Sequence, residues 1–290
     1  MRLNILRFLQ QVDRRFLYAL LLLAVCAPFF VKTRIAIPIS PETQALYDRI
    51  ESLPPGNFVV FGIDWSASTR GENGAQTEAL MRHLMRHKLR FAMIAFASPQ
   101  GSTLGQNIAE GLQKEYGYRQ GIDWCNFGYK TDQQNFLQAF VRNIPGSVGA
   151  DVRGVPLEKL PVMHGVYSGS DVNLLLEVTG TNSYNTYIQF MQGPANVPMG
   201  AALTAVMAPE AYNYLDSGQI IGMVNGLNGA AEYEQLLGVF SKATRASNSS
   251  SLAHLLIIGF IVLGNIAMLL ERRQRARPTE MPPSSMRGVQ

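Results

Sequence analysis

Phe58-Val59-Val60-Phe61-Gly62-Ile63 is an unbroken apolar run, preceded by Pro54-Pro55-Gly56 and followed by the polar stretch Asp64-Trp65-Ser66-Ala67-Ser68-Thr69-Arg70-Gly71. A short run of β-branched and aromatic residues suits a strand covered on both faces, because every side chain along it must leave water. Residues 90–97 (RFAMIAFA) repeat the pattern and end at Ser98-Pro99-Gln100-Gly101. Residues 122–129 (IDWCNFGY), 172–178 (VNLLLEV) and 201–207 offer a third, fourth and fifth strand. Helices are expected over 42–53, 76–88, 103–115 and 133–143, then briefly over 184–191 and again from 232 to 240. Strands alternating with helices predict an α/β fold: a mostly parallel, doubly wound, Rossmann-like sheet flanked by helices.

Outward from this domain, each end of the chain turns apolar. Residues 252–270 (LAHLLIIGFIVLGNIAMLL) carry no charge and run straight into Glu-Arg-Arg-Gln-Arg-Ala-Arg. As a helix they span roughly 28 Å, close to the thickness of bilayer hydrocarbon. Residues 16–31 (FLYALLLLAVCAPFFV) are shorter and contain Pro28. They read as an uncleaved anchor, since Val25 is a poor residue before a lipid-modified Cys26 and the apolar run continues past any cut there. Arg2, Arg7, Arg14 and Arg15 precede the first anchor, and Arg272, Arg273, Arg275 and Arg277 follow the second. Positive flanks predict that both termini are cytoplasmic and the middle lies outside, as a two-pass protein of the cell membrane. The expected divisions are a cytoplasmic amphipathic segment (1–15), a membrane helix (16–31), an extracytoplasmic α/β domain (33–250), a second membrane helix (252–270) and a basic, disordered cytoplasmic tail (271–290).

Charge sorts the same way. Ten of the 25 Lys and Arg residues but three of the 21 acids lie outside 33–250, leaving 15 basic and 18 acidic groups within it. A nucleic-acid-binding domain shows a basic patch, and this balance offers none. The expected partners are the bilayer and either a membrane protein or a second copy of the chain. Cys26 and Cys125 form no zinc or redox spacing, and no disulfide is expected between them.

In a parallel sheet, ligands collect at the carboxyl ends of the strands. The cleft candidates there are Asp64, Ser66, Ser98, Gln100, Lys130, Thr181 and Asn182. Against the cleft stands the plainer reading that strand ends are polar in any such fold, with Asp64 capping its next turn. His83 and His87 have zinc-like spacing, but Arg82, Arg86 and Lys88 crowd them, so a solvated basic face is expected. Residues 101–105 (GSTLG) lack the lysine of a phosphate loop and read as a turn. No metal and no cofactor is expected.

The most distinctive stretch is 217–234, SGQIIGMVNGLNGAAEYE. On a helix, Gly218, Gly222, Gly226 and Gly229 form a smooth stripe for close packing or for a partner surface. No catalytic motif appears, so enzyme and binding readings both stay open. The leading expectation is a non-enzymatic binding or assembly component of a membrane complex. The alternative is a membrane-tethered hydrolase or small-molecule-binding protein using the strand-end cleft. Residues with perturbed pKa clustered in one pocket favour an enzyme, and an exposed apolar patch near the glycine stripe favours partner binding.

Overall fold

β1 (Phe58–Asp64) lies in the middle of the sheet and is buried along its whole length. The computed structural model describes residues 13–31 and 36–275. Residues 34–247 form one compact unit, and the two terminal stretches form another.

In the central unit, α2 (Pro41–Glu51) leads into β1, which is followed by a 3-10 turn (Ala67–Thr69) and α3 (Arg70–Arg86). Next come β2 (Arg90–Ala95), α4 (Pro99–Tyr116), β3 (Trp124–Tyr129), α5 (Gln133–Arg142) and α6 (Ile144–Val148). β4 (Leu174–Thr179) precedes α7 (Ser183–Tyr187), which widens into a π turn over Ile188–Gln192. The unit continues through β5 (Met199–Leu203), α8 (Ala208–Asp216), β6 (Gly222–Asn225) and α9 (Gly226–Leu236). All neighbouring strands are parallel, in the order β3-β2-β1-β4-β5-β6.

Strand alternation explains the two layers of helix. Val59, Phe61 and Ile63 join the core beneath α2, α3, α4 and α9. Phe58 and Val60 point the other way, to the core shared with α5, α6, α7 and α8. A strand buried on both sides must be apolar throughout, which is the reason FVVFGI has no polar period.

The glycine-rich stretch is not one helix. Gly218 and Gly226 adopt positive φ of 75° and 58°, and the chain turns at each. Between them Gly222-Met223-Val224-Asn225 forms the edge strand β6, paired with β5. Gly229 lies on α9 against Val224. The expected stripe of Gly218, Gly222, Gly226 and Gly229 therefore does not exist as a surface. A Cβ on Gly222 would stand 2.4 Å from the Leu46 nitrogen, so α2 packs on β6 backbone to backbone.

Other expectations also shift. The fifth strand lies at 199–203 rather than 201–207, and α8 follows it. Residues 101–105 are helical, since Pro99 in the first turn and the Ser98 cap start α4 early. Residues 70–71 belong to α3, not to a loop. The polar stretch 245–251 is helical too, as part of α10 (Lys242–Arg275). Its start is held by Glu234, whose carboxylate accepts from the Ser241, Ala243 and Thr244 amides at 2.9–3.1 Å. His83 does not lie on a solvated face: it is fully buried, hydrogen-bonded to Tyr233 and Glu51, and stacked on Tyr47.

In the terminal unit, α1 (Arg14–Phe30) has 17 residues and includes Pro28. Within α10, residues 242–270 are long and apolar enough to cross a membrane, and they are the one such segment among the described residues. Leu255, Ile258 and Ile261 are each more than half exposed, as lipid-facing residues would be. The expected surface helix over 1–15 lies outside the described residues up to 12. Of the tail expected to be disordered, 271–275 continue α10 and 276–290 lie outside the described residues.

Candidate functional site

β1 and β4 are neighbours whose outgoing connections part, one toward β2 and the other toward β5. At such a switch point a crevice opens beyond the carboxyl ends of the strands. A cavity of about 130 Å³ lies there. Its walls come from Ser66, Ser68 and Thr69 after β1, Ala97 and Ser98 after β2, and Gly180 and Thr181 after β4, with the buried Asp64 and Trp65 at their base.

Two helices begin at this crevice. The 3-10 turn over Ala67–Thr69 runs into α3, and Ser98 caps α4 by accepting from the Gln100 amide at 3.2 Å. First-turn amides and the positive end of the peptide dipoles make such starts receptive to anions. The Gln100 side chain accepts from the Ala67 amide at 3.0 Å and ties the two loops together. A Cβ on Gly101 would stand 1.9 Å from the Ile63 carbonyl oxygen, so α4 can begin this close to β1 only with glycine there. The buried Thr69 hydroxyl has no hydrogen-bond partner.

Beneath the crevice lies a pair of buried acids. Asp64 Oδ1 accepts from the Phe96 amide and, at 2.7 Å, from the Ala97 amide. It thus fixes the turn after β2 rather than capping its own. Its other side meets Glu177 and Tyr187. Glu177 sits on β4 opposite Gly62 of β1, where a Cβ would stand 1.8 Å from Glu177 Oε2 and 2.9 Å from the Tyr187 hydroxyl. The missing side chain makes room for the carboxyl. Asp64, Glu177 and Tyr187 are all 0% exposed.

Burial pushes Glu177 well above the usual carboxylate range, and the Asp64 charge adds to this. Burial also raises Asp64, opposed by the Phe96 and Ala97 amides. Among the described residues, the groups acting on the two acids are each other, Tyr187, Ser183 and those amides, and none is a cation. Two carboxyls in contact without a cation do not both ionise at neutral pH.

The pair is sealed from water but not cut off from the crevice. Thr181 Oγ1 donates to Ser183 Oγ at 3.3 Å, and Ser183 Oγ donates to Glu177 Oε1 at 2.7 Å. Thr179 Oγ1 lies 3.0 Å from both hydroxyls.

Of the residues expected in a cleft, the structure brings together Asp64, Ser66, Ser98 and Thr181, with Gln100 bracing the walls. Lys130 stands apart, its ammonium 5.9 Å from the centre of the Phe136 ring. Asn182 is exposed and lines no part of the cavity. Sequence reasoning passed over Thr69, Glu177, Ser183 and Tyr187. The signal for Glu177 was present, as the one charge within VNLLLEV. A larger hollow of about 310 Å³ beside 157–167 lies among loop residues away from the strand ends, with none of the buried acids.

The strand order and the crevice define a doubly wound, Rossmann-like α/β domain. No protein-family model matches the chain, and no curated protein matches it. Among solved structures it is similar to trehalose-6-phosphate synthase from E. coli bound with UDP-2-fluoro glucose, at 19% identity and a TM-score of 0.34, covering 77% of this chain and 44% of that one. It is also similar to the C-terminal domain of a glycosyl transferase group 1 family protein from Francisella tularensis, at 13% identity and a TM-score of 0.33, covering 76% and 93%. A third is α,α-trehalose 6-phosphate synthase from Burkholderia multivorans, at 13% identity and a TM-score of 0.33, covering 82% and 47%. The chain spans about half the length of the two synthases. These neighbours are synthases and a transferase domain, not the non-enzymatic assembly component expected from the sequence.

Proposed function

We propose that the central domain is a group-transfer enzyme acting on a phosphorylated, hydroxyl-bearing small molecule held in the crevice between β1 and β4. One observation carries the reading: two helix starts and five hydroxyls converge on a cavity that overlies a buried pair of interacting acids. Perturbed acids gathered at one pocket favour catalysis over passive packing. The helix starts and hydroxyls suit a phosphoryl oxyanion, and a cavity of about 130 Å³ has room for one. Transfer suits the site better than hydrolysis, because both acids are closed to bulk water.

Inorganic phosphate is expected to bind the full-length protein in detergent micelles, measured by titration calorimetry. Thr69→Val keeps the shape but removes the unpaired hydroxyl. It is expected to weaken phosphate about tenfold, on the order of 1.4 kcal/mol, with an unchanged melting temperature. Absence of phosphate binding by the wild type, or equal binding by the variant, overturns the reading.

We further propose that α1 is a second span and that both termini are cytoplasmic. Its 17 residues cover roughly 26 Å, and Arg14 and Arg15 stand at one end. A reporter active only outside the cytoplasm should work when inserted after Gly149 and stay silent after Gln290. Activity at the C-terminus reverses the orientation.

A further inference from the structure

Asp64 forms the base of the crevice with no exposed surface, and a line of hydroxyls leads from the crevice wall to its partner Glu177. Each hydroxyl in the line donates inward: Thr181 to Ser183, and Ser183 to Glu177. Thr181 is exposed and lines the cavity, whereas Ser183 and Glu177 are buried. Asp64 Oδ2, Glu177 Oε2 and the Tyr187 hydroxyl have no hydrogen-bond partner outside this group; Glu177 and the Tyr187 hydroxyl meet over Gly62, and both act on Asp64. A buried oxygen without a partner is costly, and one shared proton removes the cost at both carboxyl oxygens.

We propose that Asp64 and Glu177 hold a single proton between them at neutral pH and that the line Thr181–Ser183 makes the pair the proton acceptor for a ligand hydroxyl bound in the crevice. The inference rests on the transfer reading of that crevice. The ligand O–H bond breaks and its proton joins Thr181 Oγ1, as the Thr181 proton passes to Ser183 and the Ser183 proton to Glu177 Oε1. The Glu177 Oε2 proton shifts to Asp64. The ligand keeps the electron pair as an alkoxide, ready to attack the group being transferred. The pair goes from one proton to two and from one negative charge to none. Tyr187 of α7 and the Phe96 and Ala97 amides are the remaining polar groups facing the pair, and they keep Asp64 the charged partner beforehand. Burial raises both acids, which is what a proton acceptor working near neutrality requires. Glu177 is thus a positioning residue that acts through Ser183 and Thr181.

Infrared spectroscopy of the full-length protein in detergent micelles tests this without knowledge of the substrate. At about pH 7, where free carboxyls are ionised, the wild type should show a carboxylic-acid C=O band that Glu177→Gln removes. On mixing with D2O the band should shift quickly, because the hydroxyl line carries deuterons inward. Ser183→Ala and Thr181→Val should keep the band but slow its shift by about tenfold or more, leaving only local opening as a route. No such band in the wild type overturns the shared proton. A band whose exchange ignores both substitutions overturns the relay and leaves the pair structural. Thr181 is exposed, so Thr181→Val reports even if Glu177→Gln does not fold. Phosphate binding is read separately: its loss with the band intact fails the crevice reading, and its persistence without the band fails the pair.

Discussion

Replacing Gly222 with leucine is expected to unfold or severely destabilise the central domain, while Gly71→Leu leaves it standing. A Cβ at Gly222 would lie 2.4 Å from the Leu46 nitrogen and 2.8 Å from the Glu42 carbonyl oxygen. Those are backbone atoms of α2, so relief requires the whole helix to lift from β6. Overpacking costs roughly 1–3 kcal/mol where side chains can shift, and a clash with backbone belongs at or above the top of that range. Gly71 meets nothing within 4 Å and lies in the first turn of α3, where losing a glycine favours the helix. Chemical denaturation of the two full-length variants in the same detergent gives the comparison. Equal midpoints would mean that α2 does not rest on β6.

Acidification is expected to destabilise the domain through His83. Burial lowers this histidine to about 4, against the tendency of Glu51 to raise it. Its ring is neutral in the folded state, since Tyr233 bonds to Nδ1 at 2.7 Å while Nε2 donates to Glu51 at 3.0 Å. The unfolded histidine titrates near 6.5. Between about pH 6.5 and pH 4 the unfolded chain therefore binds the extra proton, and stability falls as pH falls. Across the window the loss is on the order of 3 kcal/mol. Glu51, held low by its histidine and tyrosine bonds, works in the same direction at more acid pH. The raised Asp64–Glu177 pair works in the opposite direction, because a carboxyl raised on folding stabilises most below its unfolded pKa. His83→Gln separates these terms, since glutamine can hydrogen-bond but does not titrate. Its stability should be lower at neutral pH but lack the slope between about pH 6.5 and pH 4. A slope as steep as that of the wild type would assign the acid sensitivity elsewhere.

What was legible along the chain was whatever is written in consecutive residues. FVVFGI, RFAMIAFA and VNLLLEV announce strands buried on both faces, because no alternation of polarity survives when both sides are covered. The uncharged run 252–270 announces a membrane-length helix for a similar reason: lipid tolerates no polar face. Asp64, Ser66, Ser98 and Thr181 could be marked because a parallel sheet delivers its strand ends to one edge.

Other features depend on neighbours far apart in the chain. Gly222 looked like part of a helical stripe until α2 was seen packed on β6, and a glycine kept for a close approach reads locally like one kept for a turn. His83, set among arginines in sequence, is drawn inside by Tyr47, Glu51 and Tyr233, which come from two other helices. The acid pair was the least visible. Glu177 reads as a single charge in a strand, and only the register that sets it opposite Gly62 brings it to Asp64. Local sequence determined which segments leave water and by what element. Strand order decided which polar groups meet, because contact across a parallel sheet joins residues that nothing in their sequence neighbourhoods ties together.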